Sequence, residues 1–215
     1  MAAAIVLGAC AGTPPADWQL NAKLALDRAL AAHLRGDARA DQTEIEAARR
    51  EIARTGRVDL LARVELAYCA AHVAALAFEP CAAFEPLRTD ALAPERAYAD
   101  YLEGRVQPAE IALLPQAHRT IAASASPSAA QLEAIEDPLA RLVAAAVTLR
   151  SGRANPSVIA VAVDTASSEG WRRALLAWLK TQLTLAENAG ATAEAERLRR
   201  RISIVQGEHP AGTAK

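Results

Sequence analysis

Apolar residues recur at helical spacing along almost the whole chain. From Asp17 onward, Trp18, Ala22, Ala25, Leu26 and Ala29 share one face while Lys23, Asp27 and Arg28 share the other, which is the period of an amphipathic helix. Asp17 is placed to cap it. A turn at Gly36-Asp37 leads into a second helix over TEIEAARREIART, which stops at Gly56, and the two form a hairpin. The third segment, DLLARVELAYCAAHVAALAF, is interrupted only by Asp59, Arg63, Glu65 and His72. A helix apolar nearly all round belongs at the centre of a stack.

Beyond it, EPCAAFEPLRTDALAP has prolines and no period, so it reads as an irregular excursion, followed by a short helix over PERAYADYLEG. Pro108, Pro115 and Pro127 confine the next stretch to short helices, because each proline removes an amide donor and crowds the preceding turn. Ser126-Pro127, Asp137-Pro138 and Asn155-Pro156 each set a capping residue before a proline, predicting three helix starts. PSVIAVAVDTASSEG carries the Val and Ile of a strand, but no other segment offers a partner strand. Its face of Val158, Ile159, Ala162, Val163 and Ala166 favours a helix. WRRALLAWLKTQLTLAENAG then buries Trp171, Ala174, Leu175, Trp178 and Leu179 and turns Arg172, Arg173, Lys180 and Thr184 outward. A last helix, TAEAERLRRRISIV, begins with acids and ends in Arg199, Arg200 and Arg201, as the helix dipole prefers. The fold class is therefore all-α over residues 17–205, with 206–215 as a tail.

The turn glycines Gly36 and Gly56, and again Gly152, Gly170 and Gly190, recur at the spacing of paired helices. Units of this size resemble tetratricopeptide arrays, although the full consensus is not matched and the middle of the chain breaks the period. Two architectures follow: helical hairpins stacked as a short α-solenoid, or an irregular helical domain.

Composition narrows the role. Apolar residues make up 52% of the 215 positions and aromatics only 4%, so the interior is built from Ala, Leu, Val and Ile, which suits closely packed helices. The formal net charge of -1 lacks the basic surplus that a general nucleic-acid binder needs, and no nucleic-acid partner is expected. No apolar run reaches the length of a bilayer-spanning helix.

Three cysteines remain: Cys10, Cys69 and Cys81. Leu7-Gly8-Ala9-Cys10 resembles the lipobox of bacterial lipoproteins. The resemblance implies that residues 1–9 are a signal peptide, that Cys10 receives a diacylglyceryl group, and that 10–16 is a tether. With Ala11 next to the cysteine, it also implies the periplasmic face of the outer membrane. The run before Cys10 has no Lys or Arg, as a start displaced into the signal would produce. The alternative is a frayed Ala-rich end on a cytosolic helical scaffold.

In an oxidising compartment Cys69 and Cys81 are candidates for a disulfide. If the third helix runs to Phe78, however, Cys69 lies about 13 Å back along its axis, against the roughly 7 Å between Cα atoms that a bridge allows. The bond requires that the helix end early and that EPC double back along it. Otherwise the two are buried thiols.

The signatures of phosphate loops, nucleophile elbows and zincins are absent, so no catalytic, metal or cofactor residues are assigned. Of the histidines at 33, 72, 118 and 209, His72 shares a helix face with Tyr68 and Glu65 and could form a proton-handling group, or be a hydrogen-bonded core histidine. Glu79 and Glu85, in the twin AFEP stretches, are a weak carboxylate pair. Phe78 and Phe84 read as anchors of the excursion and, with Arg172 and Arg173, as the candidate partner surface.

The combination of lipid-bearing cysteine, polar tether and helical pairs looks like the tetratricopeptide-type lipoproteins that act as pilotins or as accessories to outer-membrane assembly machines. It implies a non-catalytic adaptor for an envelope protein, anchored to the membrane by its lipid. The rival is a periplasmic ligand-binding protein or enzyme with its site at Glu65, Tyr68 and His72.

Overall fold

The computed structural model describes residues 16–208; Cys10, the segment before it, most of the tether and residues 209–215 lie outside them. All regular structure among the described residues is helical. Ten α-helices follow in order: α1 (Asp17–Arg35), α2 (Ala38–Ala53), α3 (Val58–Ala74), α4 (Ala93–Leu102), α5 (Gln116–Ala123), α6 (Ala129–Glu133), α7 (Pro138–Arg150), α8 (Pro156–Ser168), α9 (Arg172–Asn188) and α10 (Thr192–Gln206). Short 3-10 turns at Glu85–Leu87 and Pro108–Leu113 punctuate the middle.

The helix starts show the sequence chemistry at work. Asp137 accepts from the Ala140 amide at 2.7 Å and Asn155 from the Val158 amide at 3.0 Å, each just before the expected proline. At the third start the cap is Ser128, with Gln131 returning a contact to the Ser128 amide, and not Ser126. Asp17 likewise lies inside the first turn of α1, and Ala16 holds the cap position.

The segment expected to run helical to Phe78 stops at Ala74. Leu76 takes a left-handed φ of 61°. The Ala77 amide then returns to the His72 carbonyl and the Leu76 amide to the Val73 carbonyl, both at about 3 Å. This is the double-bonded C-terminal cap that usually requires glycine. The chain doubles back, and the Cα atoms of Cys69 and Cys81 come within 5.6 Å, at disulfide distance. Phe84 follows as a fully buried anchor, with Arg88 over its ring.

α3 is central, packed by α1, α2, α4 and α7. α7 is its counterpart, buried continuously from Leu142 to Thr148 and touching α3, α4, α5, α6 and α8. α8 packs on α9, and α9 packs on α10 and returns to α1. Gly170, with a left-handed φ of 64°, makes the tight reversal between α8 and α9 that a side chain would strain. In an open solenoid each unit touches only its neighbours. Here Trp178 of α9, fully buried, donates its indole N–H to the Ala74 carbonyl at the end of α3, 3.0 Å away. The array is closed on itself, which is the irregular helical domain of the two expected architectures.

The Cys69–Cys81 link closes a short loop, so its loss is expected to cost about 3 kcal/mol in the chain-entropy account. Urea denaturation of Cys81→Ala, or of the parent chain with and without reductant, measures this; an unchanged midpoint would show that the two sulfurs are not bonded.

Candidate functional site

Two clusters of polar side chains stand out, and only the first contains residues that the sequence pointed to as a candidate site. It forms where α1, α2, α3 and α9 meet. Asp41 of α2, buried, accepts the Tyr68 hydroxyl at 2.8 Å on one oxygen and faces His33 Nδ1 at 2.9 Å with the other. Arg173 of α9 reaches the same Nδ1 at 2.9 Å and comes within 4.0 Å of Asp41. A ring nitrogen cannot serve both: protonated it donates to Asp41, bare it accepts from Arg173. His72 stacks on His33 with ring centroids 3.8 Å apart, and the Tyr68 ring meets it edge-on.

Burial is the main cause that lowers the pKa of both imidazoles, and the Arg173 cation adds to it. For His72, the neighbouring His33 contributes too, and the value falls to about 4. The Tyr68 phenol is raised by burial and by Asp41. Glu65, also buried, is held by both arms of Arg49 at 2.7 Å.

The three residues of the Glu65, Tyr68 and His72 group are brought together here, each in a different setting. Tyr68 and Glu65 are committed to Asp41 and Arg49, and His72 is a stacked histidine whose buried Nε2 has no hydrogen-bond partner among the described residues. The pocket beside them, bordered by Glu79 and the cysteine pair, holds only about 160 Å³. Glu85 goes to Arg88 rather than joining Glu79. The residues of the expected partner surface are placed differently from one another. Phe84 is buried, Phe78 lies half-buried under Arg150, and Arg173 turns inward to the junction where an outward course was expected. Arg172 stays exposed but donates to the Val205 carbonyl at the end of α10.

The second cluster borders a cleft of about 550 Å³ between α3, α4, α5 and α7. Its floor and walls are aliphatic: Leu66, Ala67 and Ala70 from α3, Leu139 and Val143 from α7, and Leu113 at the rim. The small side chains at 67 and 70 are what leave the space. Tyr98 of α4 and His118 of α5 add ring faces stacked with centroids 5.5 Å apart. His118 is buried, and burial lowers its pKa to about 4, so it is neutral at ordinary pH. Buried Glu95 pairs with Arg63 at 2.6 Å, and Asp137 is occupied in capping α7. Arg119 donates to the Leu114 carbonyl at 2.8 Å.

A large apolar cleft with a few convergent polar groups on rigid elements is the commonest form of binding site. Sequence reasoning missed it because its walls come from four separated segments. The usable hint was Tyr98 and His118 occurring amid alanines and prolines.

His72 and His118, whose pKa values fall to about 4, are neutral in the folded chain at ordinary pH and take up protons near 6.5 once unfolded, and the His33 pKa is lowered in the same direction. Stability is therefore full above that pH and falls as pH drops from about 6.5 toward 4, by up to about 1.4 kcal/mol per unit for each imidazole that stays neutral while folded. Urea midpoints across that range are expected to fall steadily, and replacing His118 by Phe to flatten part of the slope; a flat profile for the parent chain would contradict the assignment.

No family model matches the chain, and neither a curated protein nor a solved structure matches it.

Proposed function

We propose that the chain is a periplasm-facing lipoprotein of the outer membrane whose helical body acts by binding and not by catalysis. It serves as a scaffold or adaptor in an envelope assembly and holds an apolar group of its partner in the cleft between α3, α4, α5 and α7. The observation that carries this reading is the cleft itself: about 550 Å³, aliphatic, and framed by four helices. The competing polar pocket is small, and two of the three residues expected to work there, Tyr68 and Glu65, are engaged with Asp41 and Arg49.

Two features support the address. Leu7-Gly8-Ala9-Cys10 has the lipobox pattern, and Cys69 and Cys81 stand at disulfide distance, an arrangement that suits an oxidising compartment. Leaving Cys10 for the lipid and the other two for each other accounts for every cysteine in the chain.

Mass spectrometry of the N-terminus, on protein from the membranes of a lipoprotein-processing bacterium, is expected to give diacylglyceryl-modified Cys10. An unmodified Met1 or Cys10 would remove the anchor. In the same cells, a photoreactive side chain in place of Leu113 is expected to capture one envelope component, with Ala67→Trp, which fills the cleft, abolishing that capture. An adduct indifferent to Ala67→Trp would take the cleft out of the account.

A further inference from the structure

The cleft between α3, α4, α5 and α7 constrains the chemistry of what enters it. An extended peptide brings one N–H and one C=O per residue, and each needs a partner once buried. The walls supply almost none: beyond the aliphatic side chains there are the Tyr98 phenol and the neutral His118 ring, and His118 already has the Tyr101 hydroxyl 3.4 Å from its Nδ1. A helix satisfies its own backbone but, at about 10–12 Å across with its side chains, brings only the side chains of one face to such walls. A hydrocarbon chain needs no partners and follows the small-residue path over Ala67, Ala70 and Ala140.

The charges at the rim select the head of such a chain. Of the two carboxylates there, Glu95 meets the Arg63 guanidinium through Oε1 while its buried Oε2 has no hydrogen-bond partner among the described residues, and Asp137 accepts the amide of Ala140 at the start of α7. Arg119 is exposed, donates through Nε to the Leu114 carbonyl and has no carboxylate partner among the described residues. Of the two guanidinium groups at the rim, Arg63 is paired with Glu95, and Arg119 is the one without a carboxylate among the described residues, its two terminal nitrogens left to meet an anion.

We infer that the cleft is an acyl-chain site: it takes a long-chain carboxylate, the hydrocarbon tail lying over the alanine floor and the carboxylate at the rim against Arg119. The inference rests on the reading of the cleft as the binding site and names the apolar group that enters it. Tyr98 and His118 line the tail as ring faces and take no part in any bond-making step.

The test uses the full chain carrying Cys10→Ser, so that no attached lipid competes, in its oxidised form. Palmitate, hexadecylamine and hexadecanol are titrated by calorimetry. Palmitate is expected to bind with one saturable site, Arg119→Glu to weaken it by about tenfold or more, and hexadecylamine not to gain from the parent rim. Ala67→Trp is expected to abolish binding; should that variant fail to fold, Leu113→Asp at the exposed rim replaces it. No saturable palmitate binding overturns the inference, as does equal binding of all three amphiphiles that ignores Arg119→Glu. If palmitate fails while capture from position 113 in intact cells still depends on Ala67, the acyl-chain assignment falls and the cleft as a docking site stands. If both fail, the cleft reading falls as well.

Discussion

A single buried hydrogen bond ties the two ends of this fold together. The last carbonyls of a helix have no partner within it, and at the end of α3 the Ala74 carbonyl is taken by the indole of Trp178, which comes from 104 residues further along. The indole ring is itself fully buried against the core. Five residues earlier on α9, Arg173 enters the junction of His33 and Asp41. One helix therefore grips α3 with its middle and the α1/α2 hairpin with its start. In a chain with few aromatics, alanine-lined helices approach closely, and this one large side chain decides where the C-terminal hairpin sits.

The closure separates two kinds of polar group. Those at the α1/α2/α3/α9 junction are internally satisfied, apart from His72 Nε2: Asp41 with Tyr68 and His33, and Glu65 with Arg49. Such groups tie four helices to one another at a single point. Those around the α3/α4/α5/α7 cleft border open space, and two of the helices that frame the hydrocarbon surface there, α3 and α7, are packed by helices on several sides. A site whose walls belong to the core keeps its shape without a partner, which suits binding.

Much of this was legible in the sequence where local chemistry decides the outcome. Asp137-Pro138 and Asn155-Pro156 start α7 and α8 as capping rules require, and the apolar face of α1 is buried as its period implies. The end of α3 was not legible, because its left-handed cap residue is Leu76 and the pattern rewards glycine there. That one displaced boundary governs whether Cys69 can reach Cys81. Arg173 was misplaced for a different reason: on its own helix it lies on the polar face, and only the arrival of His33 and Asp41 from 140 and 132 residues away gives it an interior partner. The cleft was hidden for the same cause, since Ala67, Tyr98, His118 and Leu139 belong to four helices whose convergence no local pattern encodes.

α9 locks the array into one cooperative body, with the cleft walls as part of it. Native-state hydrogen exchange tests this most directly. Amides of α9 between Leu175 and Leu185 are predicted to exchange only through the same global opening that exposes α3 and α7. Exchange of α9 and α10 together through a lower-energy opening, with α3 and α7 still protected, would contradict it and return the fold to an open stack of hairpins.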